Sequence, residues 1–262
     1  MRQTLFNKQL VLIGGGHANV QVLRKLCMNE YEGLNVILIS ESYGAIYSGM
    51  TPGYIEKFYS LDEITIDLQR LCYNAGATFL KDKVINLDCE NRKVYLKNNP
   101  SVSFDILSIN SGSISNNRIT NLNNESKIIS VKPINSLIAN LSHIDNLVEN
   151  SSQKKVSIVG GGVAAFELSF ALYKRYNGNI SLNIISSPLL AEKNLNISTI
   201  NSLKKIAKNL GINLISNQVI TINNSEIALD NEDKIQSDCV LLSTGASLPD
   251  WLKKSELEKT DN

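Results

Sequence analysis

Two glycine triplets are the residues of this chain whose type and spacing could carry chemistry. The first triplet, Gly14, Gly15 and Gly16, follows an apolar run at residues 10–13 and precedes a helical pattern over residues 17–28. Gly14 permits a tight turn, and Gly16 lets a phosphate approach the backbone because it has no Cβ. The first N–H groups of the helix and the positive end of its dipole would face the anion. We therefore predict a cradle for a dinucleotide pyrophosphate, formed by Gly14, Gly15, Gly16, His17 and Ala18.

The second triplet repeats this arrangement near the middle of the chain. A strand pattern at residues 155–159 leads into a G-x-G-x-x-A pattern, and a helix is predicted from Phe166 to about Tyr176. The small side chain of Ala165 permits close packing of the helix on the strand. The predicted second cradle consists of Gly160, Gly161, Gly162, Val163, Ala164 and Ala165.

The spacing around the two triplets indicates an internal repeat. Ser40 and Ser186 each lie 26 residues after the first glycine of their triplet. Farther along each half, an apolar strand runs from an aspartate to a glycine, over residues 105–112 and 238–245. One triplet could arise by chance, whereas two triplets in matching frames indicate two dinucleotide-binding units.

Residues at the ends of the predicted second strands are candidates for ribose contacts. An acidic residue normally receives the ribose hydroxyls at this place, where the first half has Ser40 followed by Glu41. Glu41 either binds the ribose or is a solvated loop carboxylate. In the second half, Ser186 and Ser187 offer neither the acid typical of NADH preference nor an arginine for NADPH, so the nicotinamide preference stays open.

The loop over residues 43–53 is a third candidate for ligand contacts. It contains Gly49, Met50, Thr51 and Pro52. Loops at the carboxyl ends of parallel strands bind ligands in α/β proteins, although the same composition is typical of an ordinary connection.

The elements that must position these residues alternate between strands and helices. The pattern predicts an amphipathic helix over residues 134–148, a helical second half of residues 62–75, and a polar linker over residues 113–128. Residues 78–87 and 93–97 resemble two antiparallel strands. Further short apolar strands are predicted at 35–39, 104–109, 182–185 and 239–242. This alternation predicts the α/β class with two Rossmann-like, three-layer domains.

Composition and charge exclude several other classes of protein. The chain has 262 residues, of which 43% are apolar and 19% charged, as in globular proteins with room for two modest domains. A net charge of +1 gives no global field for nucleic acid or anionic membrane. No apolar run approaches the ~20 residues of a membrane span, and the first residues do not resemble a secretory signal. We therefore expect a cytoplasmic protein.

The four cysteines do not form a recognisable motif. Cys27, Cys72, Cys89 and Cys239 are scattered and include no C-x-x-C pair. This spacing argues against a metal site and against a disulfide formed by neighbouring thiols. We interpret each cysteine as a small buried apolar residue, so redox chemistry would require a bound cofactor.

Five segments resemble the pyridine nucleotide-disulfide oxidoreductase superfamily in order and spacing, over nearly the whole chain. The segments are IGGGHANVQVLRKL, YSGMTPGYIEKFYSLDEITIDL, FDILSINSGS, VGGGVAAFEL and LLSTGASLPDWL. Within the superfamily they resemble the type II NADH dehydrogenase-like branch. They are most similar to the oxidoreductase module that is joined to selenide, water dikinase.

The resemblance implies FAD at the first triplet and NAD(P)H at the second. Gly14, Gly16 and Glu41 would contact FAD, and loop 47–53 would lie near its isoalloxazine ring. Glu167 matches a family glutamate near the nicotinamide and is the candidate catalytic residue; alternatively, it is a first-turn carboxylate that favours the helix dipole. The strand-end motifs that close over the cofactors are matched by Ser111, Gly112, Thr244 and Gly245, although a turn that needs glycine also explains them.

Two polar residues of the first triplet region leave alternatives open. His17 could donate to a phosphate oxygen or be a surface or capping residue. Asn19 replaces the third small residue of the fingerprint, as the dikinase-joined module also permits.

The sequence departs from the family pattern at one motif. The family continues to a strand that ends in Gly-Asp and completes the FAD site, and this dipeptide does not occur in the sequence. We expect the first domain to lack its last strand. Either a partner chain, such as a second copy in a homodimer, supplies the missing piece, or the chain is a truncated relative with weak flavin affinity.

We hypothesise a FAD-dependent oxidoreductase that passes hydride from NAD(P)H to the flavin and electrons to an unidentified acceptor. The second domain would be inserted into the first. An alternative is an inactive nucleotide-binding module or subunit that binds NAD(P)H only; a sulfide:quinone-type reductase is disfavoured because the cysteines are not paired. The predicted divisions are an FAD-binding domain at 1–112, a linker at 113–128, an NAD(P)-binding domain at 129–246, and a return to the first domain at 247–262.

Overall fold

The computed structural model describes residues 8–29, 31–115, 128–149, 153–186, 196–223 and 225–259. The chain forms two compact units. The first comprises Met1–Tyr47, Asp62–Ser113 and Leu248–Asn262, and the second comprises Ser48–Leu61 and Ile114–Ser247. The predicted first domain, residues 1–112, included residues 48–61. The structure instead assigns residues 48–61 to the second unit, where Ile55 is buried in the hydrophobic core.

A parallel sheet forms the centre of the first unit. Its four strands, in spatial order, are β5 (Thr78–Lys81), β2 (Leu34–Ser40), β1 (Lys8–Ile13) and β9 (Ile106–Ile109). Alternate residues of β1 face two different layers. On one side, Leu12 packs with residues of helix α1 (His17–Met28) and helix α4 (Leu68–Asn74). The predicted bounds of α1 are therefore confirmed, and α4 confirms the helical second half of residues 62–75.

The other side of this sheet is covered by a small antiparallel sheet. Val11 and Ile13 pack with Val84, Val94 and Trp251. The covering elements are β6 (Val84–Asp88), β7 (Lys93–Leu96), β8 (Val102–Ser103) and the short helix α8 (Asp250–Lys254). The connection from β2 contains β3 (Gly44–Ile46), helix α3 (Leu61–Ile64) and β4 (Thr65–Asp67), and β3 pairs with β4.

The prediction of one strand over residues 78–87 is wrong, because the chain turns at Asp82. Strand β5 joins the parallel sheet, whereas β6 pairs antiparallel with β7. The Asp82 side chain is only 5% exposed and accepts hydrogen bonds from the backbone N–H groups of Lys83, Asn98 and Asn99. These bonds stabilise a turn that the apolar pattern does not reveal.

A second parallel sheet forms the centre of the second unit. Its five strands, in spatial order, are β11 (Ile128–Ser130), β18 (Cys239–Leu242), β12 (Lys154–Val159), β13 (Ile180–Ile185) and β14 (Asn213–Ile215). Each residue of β18 is buried, as expected for a parallel strand covered on both faces. The predicted strands at 182–185 and 239–242 are therefore confirmed.

Helices and an antiparallel sheet cover the two faces of this second sheet. Ile158 packs in the layer that includes helices α5 (Ile134–Glu149), α6 (Val163–Arg175) and α7 (Ile197–Asn209), and Val159 packs in the opposite layer. That opposite layer contains β15 (Val219–Asn223), β16 (Glu226–Leu229) and β17 (Lys234–Gln236). The predicted helix over 134–148 is confirmed, whereas α6 begins at Val163 and not at Phe166.

The predicted linker over residues 113–128 is only partly within the described residues. Strand β10 (Ile114–Ser115) pairs antiparallel with β19 (Ala246–Ser247). Residues 116–127 of the predicted linker lie outside the described residues. Among the helices that are described, none combines the length and the apolar character needed to cross a membrane.

The internal repeat is visible in the way each unit joins its first and last parallel strands. The carboxylate of Asp105 accepts a hydrogen bond from the backbone N–H of Gln9 at 2.7 Å, and that of Asp238 accepts one from Lys155 at 2.9 Å. In return, each aspartate donates its own N–H to the carbonyl of the same partner residue. Both aspartates therefore set the register of the strand that leads to a glycine triplet.

Candidate nucleotide-binding sites

The first glycine triplet forms a turn between β1 and α1 that other residues cannot adopt without strain. Gly14 has a φ of +85°, in the left-handed region that favours glycine. Its N–H donates to the carbonyl of Ile39 at 2.8 Å. A Cβ added to Gly14 would overlap the backbone of Ser111. The ends of β1, β2 and β9 therefore meet at this turn, as predicted for a cradle at the carboxyl edge of the sheet.

Asn110 fills the space beside Gly16, where the glycine pattern predicts room for a phosphate. The carbonyl of Asn110 accepts the N–H of Gly16 at 3.1 Å, and its Oδ1 accepts the N–H of Ala18 at 2.9 Å. A Cβ on Gly16 would overlap Asn110 Oδ1. The position of Asn110 therefore requires a glycine at residue 16. The reason predicted from the sequence, room for a phosphate beside Gly16, is corrected.

Asn19 supports the same turn from inside the first unit. It is fully buried, and its Nδ2 donates to the carbonyls of Ile13 at 3.1 Å and Gly14 at 2.8 Å. Its Oδ1 accepts a hydrogen bond from Ser108 Oγ at 2.7 Å. The larger residue at the third fingerprint position is therefore accommodated because all of its polar atoms are paired.

The other predicted residues of the first site lie around this turn. The imidazole of His17 is exposed and lies 4.9 Å from the ring of Tyr47, measured between ring centroids. Ser40 ends β2, and the exposed carboxylate of Glu41 lies 3.9 Å from Lys83 Nζ. Ser111 and Gly112 are exposed beyond the end of β9, where Gly112 has a φ of +75°.

The second glycine triplet forms an equivalent turn between β12 and α6. Gly160 has a φ of +136°, and its N–H donates to the carbonyl of Ile185 at 2.8 Å. A Cβ on Gly160 would overlap the carbonyl of Ser243. Ala165 is fully buried, as close packing of α6 on the sheet requires, whereas Val163 and Ala164 are exposed.

Gly162 differs from Gly14, Gly16 and Gly160 because no contact among the described residues requires a glycine there. Its φ of −77° is available to any residue, and an added Cβ would meet no described atom within 4 Å. An open position at the N-terminus of a 13-residue helix leaves room for an anion to approach the backbone. The second cradle is therefore open at Gly162, whereas Asn110 fills the corresponding place at Gly16.

The remaining predicted residues of the second site lie at the ends of its strands and on α6. Ser186 follows β13 and donates its N–H to the carbonyl of Ile215 at 3.0 Å; Ser187 lies outside the described residues. Thr244 and Gly245 follow β18, and Gly245 has a φ of +82°. Glu167 is exposed and is the fifth residue of α6, so its interpretation as a first-turn carboxylate is wrong.

The predicted loop residues are organised by the second unit. Gly49 and Met50 lie in a 3-10 turn, and Thr51 and Pro52 begin the short helix α2 (Thr51–Ile55). Thr51 is 5% exposed, and its Oγ1 is buried without a hydrogen-bond partner among the described residues. The structure therefore groups these four residues with Gly160–Ala165, and not with Gly14–Ala18 in the first unit.

An ion pair in the second unit holds this loop segment in place. Arg175 donates to the Asp145 carboxylate from Nε at 2.8 Å and from Nη2 at 2.6 Å, and its Nη1 donates to the Ile55 carbonyl at 2.8 Å. Tyr176 adds a hydrogen bond to Asp145 at 3.0 Å. The bonds from Arg175 hold the pKa of Asp145 below its usual range although burial opposes this. The sequence alone does not indicate this pair, because its members are far apart in the chain.

The four cysteines differ in their exposure. Cys72 and Cys239 are buried as predicted, but Cys27 is exposed and Cys89 is half-buried. Burial raises the pKa of Cys72 to about 12, so this thiol stays protonated near neutral pH. Within the described residues, no three His, Cys, Asp or Glu side chains lie together as metal ligands would.

The fold and the two glycine turns define an α/β protein with two Rossmann-like units. The family model described as pyridine nucleotide-disulphide oxidoreductase matches residues 8–262. The chain therefore belongs to the pyridine nucleotide-disulphide oxidoreductase family. Members of this family are FAD-dependent pyridine nucleotide oxidoreductases that bind FAD and NAD(P)H.

Known proteins are similar to this chain at low sequence identity. The chain is 23% identical over 257 residues to ferroptosis suppressor protein 1 of Xenopus tropicalis, covering 90% of this chain and 62% of that protein. The structure of NDH2 from Plasmodium falciparum in complex with NADH matches with a TM-score of 0.79 at 18% identity, over 94% of this chain and 57% of that one. Reduced Bacillus anthracis CoADR-RHD matches with a TM-score of 0.79 at 16% identity, over 91% and 44%.

These likenesses show a mixed α/β fold with parallel-sheet, Rossmann-like cores. The chain spans less than two thirds of the length of each of these three proteins. Each unit has one structural feature that fits a bound dinucleotide. In the first unit, glycine turns bring α1 to the end of β1, and in the second, the open Gly162 leaves room at the start of α6.

Proposed function

We propose that this protein is a FAD-dependent oxidoreductase that accepts electrons from NAD(P)H and passes them to an acceptor still to be identified. The observation that carries the proposal is the duplicated glycine turn, with φ values of +85° at Gly14 and +136° at Gly160. Each turn starts a helix at the carboxyl end of a buried parallel strand, which is where dinucleotide pyrophosphates bind. Family membership over residues 8–262 supports the same reading.

In this proposal the first unit holds FAD. The backbone of Gly14, Gly15 and Gly16, with the first residues of α1, would face the pyrophosphate, and Glu41 would receive the ribose hydroxyls. Glu41 follows β2, and its side chain is 68% exposed although it lies near Lys83, so its carboxylate is accessible to a ligand. Ser111 and Gly112 would border the cofactor, since they follow the strand beside β1.

The second unit would hold NAD(P)H at the triplet of residues 160–162. Gly162 supports this assignment because it is open and its φ does not demand a glycine. Ser186, Thr244 and Gly245 lie at the ends of the neighbouring strands, and the exposed Glu167 is proposed to lie near the nicotinamide. Ser186 carries no charge that would select between NADH and NADPH, so the proposal includes both.

When bound, FAD and NAD(P)H supply the redox chemistry, by transfer of hydride from the nicotinamide to the flavin and release of electrons to the acceptor. The protein's own residues would bind the two nucleotides, orient them and exclude water. Gly49, Met50, Thr51 and Pro52 are proposed to be cofactor-binding residues. The hydroxyl of Thr51 is buried and has no hydrogen-bond partner in the described part of the chain.

A second candidate function is favoured by the difference between the two cradles. Asn110 occupies the N–H of Ala18 and the space beside Gly16, whereas Gly162 is open. The alternative is therefore a binding module that binds NAD(P)H at the second triplet and does not catalyse its oxidation.

Two finer expectations also stay predictions. They are a relation to the dikinase-joined module, and completion of the FAD site by a partner chain or a second copy.

Anaerobic titration of the purified protein tests the main proposal. We expect a visible flavin spectrum that NADH, NADPH or both bleach. A bound flavin that neither nucleotide bleaches would contradict the oxidoreductase proposal. Calorimetric titration separates the alternative, which requires binding of NADH or NADPH and no binding of FAD.

A further inference from the structure

Asn110 joins the end of β9 to the beginning of α1 through both its backbone and its side chain. Its N–H donates to the carbonyl of Ile13 at 2.8 Å, and its carbonyl accepts the N–H of Gly16 at 3.1 Å. Its Oδ1 accepts the N–H of Ala18 at 2.9 Å, although 92 residues separate the two in sequence. The side chain is therefore held at the N-terminus of the 12-residue helix α1, where positive charge from unpaired N–H groups is concentrated.

The orientation of the Asn110 carboxamide follows from this contact. A backbone N–H must meet an acceptor, so the oxygen faces Ala18 and the Nδ2 is the other arm of the group. In the part of the chain that is described, Nδ2 has no hydrogen-bond partner, and Asn110 is only half-buried. Two N–H donors thus remain at the accessible start of the helix.

Among the described residues of the second unit, no carboxamide lies at the equivalent position. Ser243 stands two residues before Gly245, as Asn110 stands two residues before Gly112. Ser243 donates its N–H to the carbonyl of Val159 at 2.8 Å, just as Asn110 donates to Ile13. The backbone arrangement is repeated, but the carboxamide is not, and Gly162 remains open.

We infer that Asn110 is a ligand of the FAD pyrophosphate in the first unit. Its Oδ1 keeps the bond to Ala18, and its Nδ2 donates to a phosphate oxygen, which adds a side-chain donor to the backbone amides at the start of α1. The inference rests on the proposed function, since it requires FAD at the first triplet. It assigns a binding role to a residue that the glycine pattern does not include.

Substitution of Asn110 by aspartate separates a ligand from a structural cap. Asn110→Asp keeps an oxygen acceptor for Ala18, and a negative charge at a helix N-terminus favours folding. It replaces the Nδ2 donors with a charged oxygen that repels phosphate. We expect the dissociation constant for FAD to rise at least about tenfold, while the thermal unfolding temperature is kept or increased.

Two further variants serve as controls in the same calorimetric titrations of the flavin-free protein with FAD. Asn86→Asp makes the same change of charge at an exposed position of β6 and should bind FAD within about twofold of the unsubstituted protein. Asn110→Ser copies the second unit and should weaken FAD binding by less than Asn110→Asp. The dissociation constant for NADH or NADPH should stay within about twofold in all three variants, because the second triplet is unchanged.

Two results would overturn this inference alone: Asn110→Asp binding FAD as tightly as Asn86→Asp, or Asn110→Ser binding FAD more tightly than the unsubstituted protein. The second result would mean that the carboxamide competes with the phosphate. Failure of the unsubstituted protein to bind FAD would overturn both this inference and the proposed function. The two failures are therefore distinguishable.

Discussion

At the level of single residues, the glycines of the two triplets are required for different reasons. Gly14 and Gly160 have positive φ values, and Gly16 is crowded by Asn110, so folding alone explains these three. Gly162 has neither constraint. A glycine that folding does not require is the position at which substitution best separates binding from stability.

We expect Gly162→Ala to weaken binding of NADH or NADPH about tenfold or more, because its Cβ would occupy the space where the phosphates approach. Its cost in unfolding free energy should stay below about 1 kcal/mol, the usual scale for a helix N-cap change. Calorimetric titration and chemical denaturation measure the two quantities. Gly160→Ala is the contrasting variant, since its Cβ would overlap Ser243 and should destabilise the protein by more. Unchanged nucleotide binding in Gly162→Ala would contradict the proposed second site.

Asn19 and Ser108 form a buried polar pair, for which we predict energetic coupling. Asn19→Ala removes two hydrogen bonds to the glycine turn and leaves the Ser108 hydroxyl without its acceptor, at a cost of about 2–3 kcal/mol. Ser108→Ala should cost about 1 kcal/mol. The double variant should be more stable than the sum predicts by about 0.5 kcal/mol or more, measured by urea denaturation. Strict additivity would show that the 2.7 Å contact contributes nothing.

At the level of elements, the segment of residues 48–58 packs in a different unit from its neighbours in sequence. It connects β3 and α3 of the first unit, yet Ile55 is 1% exposed in the core of the second. Arg175 of α6 joins its carbonyl to Asp145 of α5. Helix α6 therefore carries the candidate nucleotide cradle at one end and the contact with this segment at the other.

We expect Arg175→Met to destabilise the protein by about 2–4 kcal/mol, because it leaves the partly buried Asp145 carboxylate without its cation. Hydrogen exchange in residues 51–58 should also increase, as measured by mass spectrometry. Lys174→Met is the matched control: this adjacent lysine is 70% exposed and pairs with Glu56, so its loss should cost less than about 1 kcal/mol. Equal effects of the two variants would mean that Arg175 does not hold the segment.

At the level of the whole molecule, hydrogen-bonded aspartates in both units link stability to pH. Burial acts to raise the pKa of Asp82, but hydrogen bonds from the Asn99 side chain and from backbone N–H groups outweigh it and lower the pKa to about 2. In the second unit the pKa of Asp145 is lowered, chiefly by Arg175. Carboxylates with lowered pKa values stabilise the folded state above their unfolded pKa, and this contribution is lost as pH falls through the folded pKa.

We therefore expect the free energy of unfolding to fall as the pH is lowered from about 5 towards 2, because the unfolded chain binds more protons there. Asn99→Ala removes a 2.7 Å donor to Asp82 and so raises the folded-state pKa of that carboxyl, and the decrease should therefore be smaller and should end at a higher pH. Chemical denaturation at a series of pH values measures both curves. Coincident curves for the two proteins would exclude Asp82 as a source of the acid sensitivity.

The sequence by itself determined the features that depend on neighbouring residues. The apolar run, the glycines and the helical periodicity predicted α1 over residues 17–28 and the strand–turn–helix order of both halves, because turns and amphipathic faces are local properties. The same local pattern could not locate the turn at Asp82, since the bonds that make it come from residues 98 and 99.

Only the tertiary structure decided which distant side chains complete these local motifs. Asn110 lies 92 residues from the amide that it caps, and Arg175 lies 120 residues from the carbonyl that it binds. No periodicity in the sequence indicates such contacts, because they depend on which strands and helices become neighbours. The glycine triplets could therefore be recognised from sequence, whereas the reason for Gly16, the openness of Gly162 and the unit that holds residues 48–61 required the fold.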